Sequence, residues 1–131
     1  MSDHDIAGAR RFFESKIAHT TGTHEVFGQI ERKDDVVIVD VRMPTDFRAG
    51  HVPGAVNLPR GTWASARGLS RDKLNILYCY SQTCHMAAEA GAELAALGYP
   101  VQEMEGGFAT WQSAGYPVEA EESTAEADAA A

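Results

Sequence analysis

The chain has 131 residues, of which 44% are hydrophobic and 23% are charged, and its net charge is −8. These values are typical of one globular domain with a single core. They argue against a nucleic-acid-binding protein, because an acidic chain without a clustered basic face does not attract phosphates. No apolar run approaches the ~20 residues that a membrane helix needs, so no membrane association is expected.

The amino terminus shows no basic start followed by an apolar stretch, which is the pattern of a secretory signal. A cytoplasmic location is therefore predicted, and thiols stay reduced in that compartment. The two cysteines, Cys79 and Cys84, are five positions apart. A disulfide between them would close a very small loop and constrain little, so a structural disulfide is not expected.

The hydrophobic pattern predicts helices that alternate with strands. Two helices come first, at about residues 5–18 and from Thr23 onward, and the β-branched run at 36–41 is typical of a buried parallel strand. Alternation of this kind predicts an α/β domain with a mainly parallel central sheet. The later predicted elements are a helical turn within 43–50, an extended segment at 51–59, strands at 73–80 and 101–104, and helices at 85–98 and 106–115.

The two ends of the chain are predicted to lie outside the domain, which would span residues 23–118. Residues 1–22 form a helical extension whose apolar side chains, Ile6 and Phe13 among them, share one face. This helix would either pack on the domain or pair two chains, and nothing in the sequence supports a homodimer. Residues 119–131 contain five acids, no base and no large apolar side chain, which predicts a disordered acidic tail.

The main functional signal is the short loop that begins at Cys79. Asp40 and Cys79 each end a predicted strand, and the ligand sites of open α/β sheets lie beyond the carboxyl ends of the strands. The next helix begins near His85, and the positive end of a helix dipole lowers the pKa of a nearby thiol. Cys79 is therefore predicted to be a thiolate nucleophile in a loop whose N–H groups face an anion. The alternative is an inert cysteine at the end of a buried strand.

Three motifs, in order, resemble signatures of the rhodanese-like domain family. The first runs from D-V-R to G-H-V-P-G-A-V-N-L-P, the second is the cysteine loop, and the third is G-G-F-A-T-W-Q-S-A-G-Y-P. The resemblance covers roughly residues 23–118 and implies a three-layer domain in which helices flank the sheet, plus an extra N-terminal helix. The residues that match are Asp40, Val41, Arg42, Asp46, Phe47, Gly50, His51, Pro53, Gly54, Ala55, Asn57, Pro59, Gly106, Gly107, Trp111, Gly115 and Pro117.

The resemblance implies a sulfurtransferase. Cys79 would take the outer sulfur of a small donor, a persulfide or thiosulfate, as a persulfide and pass it to a thiol or another small nucleophile. Backbone N–H groups of the loop would hold the negative charge of the terminal sulfur. No metal or organic cofactor is implied. The residues that would form this sulfur-binding loop are Tyr80, Ser81, Gln82, Thr83 and Cys84.

Two loop positions depart from the family pattern. Gln82 stands where the family often has glycine, which tolerates positive φ far better than glutamine does. Cys84 stands where many members have arginine or a small hydroxyl residue. The loop therefore has no cation that would bind the sulfonate of thiosulfate. The resemblance therefore supports sulfur transfer more strongly than it supports thiosulfate as the donor.

Several alternatives stay open at this point. Cys84 is either inert or a resolving thiol that attacks a Cys79 persulfide and releases sulfide. Asp40 and Arg42 are expected to support the site as a charge-assisted pair.

Other functions compete with sulfur transfer. A metal site at Cys79, Cys84 and His85 lacks a fourth ligand, and a phosphatase would need an arginine at the end of the loop. The rival to an enzyme is a non-catalytic rhodanese-like binding module, or one that senses redox state or persulfides.

Overall fold

The computed structural model describes residues 3–121. No helix in that range is long and apolar enough to cross a membrane. A short 3₁₀ turn, Trp63–Ser65, precedes the fourth strand. The other elements, in chain order, are α1 (Ile6–His19), β1 (Thr20–Thr21), α2 (Thr23–Glu31), β2 (Val36–Asp40), α3 (Pro44–Ala49), β3 (Val56–Asn57), β4 (Leu74–Tyr78), α4 (Met86–Ala96), β5 (Val101–Met104) and α5 (Gly107–Ser113).

The five strands form one sheet in the order β1-β5-β4-β2-β3, and every pairing between them is parallel. The α/β prediction with a mainly parallel sheet is therefore confirmed. In the register of the sheet, Asp40 lies between Asn57 of β3 and Tyr78 of β4. Cys79 follows Tyr78 directly, so Asp40 and Cys79 lie at the same edge, as the sequence predicted.

The sheet separates two apolar clusters, because successive side chains of a strand point to opposite faces. On one face, Ile76 and Tyr78 of β4 pack with Trp111 of α5. On the other face, Leu77 and Cys79 pack with the alanine-rich side of α4. Helices therefore cover both faces, which makes three layers and places the Cys79 sulfur under the amino-terminal end of α4.

The amino-terminal segment differs from the prediction in two respects. Thr20 and Thr21 form β1 and join the sheet beside β5, although two residues are too short for the sequence to signal a strand. The helix α1 buries none of its side chains in the domain, and Ile17 is 77% exposed. The apolar face of α1 therefore does not pack on the domain, which excludes one of the two predicted alternatives, and the pairing of two chains stays a prediction.

The carboxyl-terminal end of the described chain stays attached to the domain. Glu119 forms an antiparallel bridge with His51, and the Glu121 N–H donates to the carbonyl of Arg48 at 3.0 Å. The Glu119 carboxylate also accepts the Gly54 N–H at 2.8 Å. The predicted start of a disordered tail at residue 119 is therefore too early. Residues 122–131, which carry the rest of that prediction, lie outside the described residues.

Two isoleucine substitutions distinguish the exposed helix from the core. We expect Ile76→Ala, at a side chain with 0% exposure, to lower the free energy of unfolding by about 2–5 kcal/mol, because it leaves a cavity. Ile17→Ala should change it by no more than about 0.5 kcal/mol, because that side chain already faces solvent. Urea denaturation followed by circular dichroism measures both values. A large loss for Ile17→Ala would show that α1 packs on the domain after all.

Candidate active site

The loop that follows β4 is held from two sides. Within the loop, the Cys84 N–H donates to the Ser81 carbonyl at 3.1 Å. The loop is also bound by N–H groups at the start of α5. The Phe108 N–H donates to the Cys79 carbonyl and the Ala109 N–H donates to the Tyr80 carbonyl, both at 2.9 Å. The start of α5 thus fixes the first two residues of the loop.

Gly107 allows this close approach between α5 and the loop. Its φ is +62°, in the left-handed region that favours glycine. A Cβ atom built on Gly107 would lie 2.7 Å from both the Cys79 carbonyl oxygen and the Ser81 nitrogen. Any side chain at this position would push the cysteine loop away, so this part of the closing G-G motif is a support for the loop.

Two free thiols meet at the centre of the loop. Cys79 is only 1% exposed, and its S–H donates to the Cys84 carbonyl at 3.4 Å. Backbone N–H groups of Tyr80 and Ala87 interact with the Cys79 sulfur, and those of Tyr80 and Met86 interact with the Cys84 sulfur. The loop and the first turn of α4 therefore point N–H donors at both sulfurs.

The two thiols differ in acidity. Burial, and then the hydrogen bond with the Cys84 side chain, raise the pKa of the Cys79 thiol to about 12. Burial also acts to raise the pKa of Cys84, but the hydrogen bond from Cys79 and the N–H groups of Met86 and Tyr80 outweigh it, so that pKa is lowered. The sequence predicted a lowered pKa for Cys79. The structure instead makes Cys84 the more acidic thiol, because Cys79 is the more deeply buried one.

Asp40 and Arg42 form a buried ion pair at the same edge of the sheet. The guanidinium Nη2 and Nε atoms lie 2.8 and 3.1 Å from Asp40 Oδ2, and the Tyr78 hydroxyl donates to the same oxygen at 2.7 Å. Arg42 also donates to the Gly50 carbonyl at 2.5 Å and lies 4.2 Å from the centre of the Phe108 ring. Since the Phe108 N–H holds the Cys79 carbonyl, the pair acts on the loop through Phe108.

The remaining loop residues are more exposed. The Tyr80 hydroxyl donates to Asp46 Oδ2 at 2.5 Å and accepts the Met43 N–H at 3.2 Å, which ties the loop to α3. The hydroxyls of Ser81 and Thr83 lie 3.3 Å apart. Asp46 was noted in the sequence only as part of a motif, and its contact with Tyr80 could not be anticipated without the fold.

Gln82 adopts an ordinary backbone conformation. Among the non-glycine residues of the described chain, positive φ occurs only at Lys33 and Ala66. The loop therefore accommodates glutamine at this position without backbone strain. Within residues 3–121, no three His, Cys, Asp or Glu side chains group closely enough to hold a metal ion.

Comparison with known proteins identifies the family of this chain. The family model of the rhodanese-like domain matches residues 23–114. The chain belongs to this family. A thiosulfate sulfurtransferase, GlpE of Pseudomonas putida strain F1, is 33% identical over 100 residues, which cover 75% of this chain and 88% of that protein.

Two further proteins are similar to this chain, one in sequence and one in structure. An HTH-type transcriptional regulator of Mycobacterium tuberculosis is 35% identical over 86 residues, which are 65% of this chain and 38% of the regulator. A protein of known structure from Bacillus halodurans has a TM-score of 0.80 and 28% identity, with 88% of this chain and 86% of that chain covered. The predicted rhodanese-like fold is thus confirmed.

The acidity of the two thiols is testable by alkylation. In the wild-type domain, we expect the rate of Cys84 alkylation to rise with pH through a midpoint below that of an ordinary thiol. The rate of Cys79 alkylation should rise only as the pH approaches its pKa of about 12. In Cys84→Ala, the midpoint for Cys79 should fall, because a hydrogen bond that raises its pKa is gone, but burial should keep it above an ordinary thiol. Peptide mass spectrometry with iodoacetamide measures both midpoints. A lower midpoint for Cys79 than for Cys84 in the wild type would contradict this assignment.

Two glycine substitutions test the support beneath the loop. Gly107→Ala and Gly115→Ala both place a side chain at positive φ, +62° and +77°, but only Gly107 faces backbone atoms, whereas Gly115 has open space. We expect Gly107→Ala to cost about 1–3 kcal/mol more in unfolding free energy than Gly115→Ala, because overpacking adds to the backbone cost. It should also shift the alkylation midpoint of Cys84, as the loop moves. Equal effects of the two variants would exclude this role for Gly107.

Proposed function

We propose that this rhodanese-like domain is a sulfurtransferase that accepts a sulfane sulfur on Cys79 and passes it to a thiol or another small nucleophile. The observation that carries the proposal is the set of backbone N–H groups, from the loop and from α4, that converge on the two sulfurs. Such donors stabilise a negatively charged terminal sulfur. The relationship to thiosulfate sulfurtransferases supports the same function.

The first half-reaction follows from the arrangement of the two thiols. As the Cys79 sulfur attacks the outer sulfur of the donor, its proton passes to the Cys84 thiolate. The S–S bond of the donor breaks, and the inner part leaves with the bonding electrons, as sulfite from thiosulfate or as a thiolate from a persulfide. The product is a Cys79 persulfide whose terminal sulfur is held by the N–H groups of the loop. An acceptor thiolate then takes this sulfur and restores Cys79.

A second fate of the persulfide involves Cys84 as a resolving thiol. Its sulfur is hydrogen-bonded with Cys79, so it lies within reach of the persulfide. Attack of Cys84 on the inner sulfur would form a Cys79–Cys84 disulfide and release hydrosulfide, which carries away the Cys84 proton. An external thiol would then reduce the disulfide. In this case the domain would release sulfide and would not pass sulfane sulfur to an acceptor.

Persulfide formation on Cys79 is the direct test. Reduced protein is incubated separately with thiosulfate and with a low-molecular-weight persulfide, and the loop peptide is weighed by mass spectrometry. We expect a gain of one sulfur atom, removable by a reductant, in the wild type, a slower gain in Cys84→Ser, which lacks the thiolate that accepts the proton, and no gain in Cys79→Ser. If the wild type gains no sulfur while Cys79 is shown to be reduced and reactive, the domain is a binding or sensing module.

The same samples report the role of Cys84. If Cys84 resolves the persulfide, the wild-type peptide loses its extra sulfur over time, forms the loop disulfide and releases sulfide, whereas Cys84→Ser keeps the persulfide. If both thiols are free after turnover, the resolving role is excluded and transfer to an external thiol remains.

A further inference from the structure

Arg60 is an exposed cation that the fold brings to the edge of the cysteine loop. It precedes the short 3₁₀ turn at Trp63, and its guanidinium carbon lies 5.5 Å from the centre of the Trp63 ring. Trp63 is buried in the same apolar cluster as Cys79 and Ala87. The stretch of chain that carries Arg60 is therefore anchored against the wall of the candidate site.

A second contact places Arg60 over the start of α4. Its Nη2 atom lies 2.8 Å from Glu89 Oε2, and Glu89 belongs to the first turn of that helix. This is the turn whose Met86 and Ala87 N–H groups interact with the two sulfurs. The guanidinium thus lies on the side of the loop from which those N–H groups act.

The positive charge of Arg60 acts on the Cys84 sulfur. After burial, which raises the pKa of Cys84, and the hydrogen bonds that lower it, the positive charge of Arg60 is a further cause of the lowered pKa. Arg42, the other arginine near this edge, is buried, and its Nε and Nη2 atoms are held by Asp40 and Gly50. Arg60 is instead about half exposed and has donors that a ligand could engage.

We propose that Arg60 binds the anionic end of the sulfur donor, the sulfonate of thiosulfate or an equivalent oxyanion, while the outer sulfur of the donor lies against Cys79. This inference rests on the proposed sulfurtransferase function and adds the substrate class. A guanidinium suits a sulfonate, because its N–H groups form two parallel hydrogen bonds with an oxyanion. The cation that the loop lacks at Cys84 would thus come from another segment.

Glu89 keeps Arg60 in place before the donor binds. Both side chains of this ion pair are 55% exposed, and exposed pairs of this kind are weak and easily exchanged. A dianionic donor can therefore replace the carboxylate. When the S–S bond of thiosulfate breaks, sulfite leaves with the bonding electrons and with two negative charges, which Arg60 stabilises.

The test compares thiosulfate, which has an oxyanion on its inner sulfur, with a persulfide that has an uncharged alkyl group in that place. We expect Arg60→Gln to lower the single-turnover rate of persulfide formation from thiosulfate about tenfold or more, and Arg60→Lys to recover part of it. The rate with the alkyl persulfide should fall far less in either variant, because Arg60 acts on that reaction only through its contribution to the lowered pKa of Cys84. Glu89→Gln should raise the apparent affinity for thiosulfate about two- to fivefold, because it frees the guanidinium.

Arg71→Gln is the matched control. Arg71 also lies over an aromatic ring, that of Tyr99, and contacts α4, but at the opposite end, through the Leu97 carbonyl at 2.9 Å. This variant should leave both donors unaffected. Equal losses with both donors in Arg60→Gln, or an equal loss of the thiosulfate rate in Arg71→Gln, would overturn the proposal.

A binding measurement separates this inference from the function on which it rests. Calorimetry with thiosulfate and Cys79→Ser, which cannot form the persulfide, should show binding that Arg60→Gln weakens about tenfold. Binding that depends on Arg60, without sulfur transfer by the wild type, would uphold the anion site and refute the sulfurtransferase. Sulfur transfer from thiosulfate that does not depend on Arg60 would uphold the sulfurtransferase and refute the anion site at Arg60. Neither binding nor transfer would refute both.

Discussion

The buried ion pair of Asp40 and Arg42 is the interaction on which the active edge of this domain depends. Asp40 ends β2, and Arg42 reaches the Gly50 carbonyl and the Phe108 ring. The pair therefore joins the end of a central strand to the segment after α3 and to α5. Removing one partner of such a pair typically costs 3–5 kcal/mol, because the other charge is left buried and alone. Through Phe108, whose N–H holds the Cys79 carbonyl, this network supports the cysteine loop.

From that edge, support passes to the loop through main-chain atoms. The N–H groups at the start of α5 hold the carbonyls of Cys79 and Tyr80, and Gly107 lets the two backbones meet. The N–H groups at the start of α4 act on the sulfurs from the other side. The amino-terminal ends of two helices thus contact one short loop. The N–H groups of α5 bind its carbonyl groups, and those of α4 interact with its two sulfurs. Neither set of contacts uses the side chain of Gln82.

The sequence predicted the framework of the site but not its electrostatics. Asp40 and Cys79 could be placed at one edge because the carboxyl ends of parallel strands meet there, and the apolar runs of both strands are unambiguous. The order of acidity of the two thiols depends on how deeply each sulfur is buried, which no local pattern encodes. The sequence left two alternatives open for α1, packing on the domain or pairing two chains, for a related reason. An amphipathic pattern shows which face of a helix is apolar, but not what lies against it.

The bridge between Glu119 and His51 has a consequence for how partners can contact this domain. The described chain enters the sheet at β1, at one edge, and its last residues run beside the segment before β3, which is the opposite edge. Four spacings between strands separate those edges, or roughly 20 Å. The helix α1 and the last described residues are therefore attached at opposite edges of the sheet, so a partner that binds α1 need not crowd one that binds beside His51.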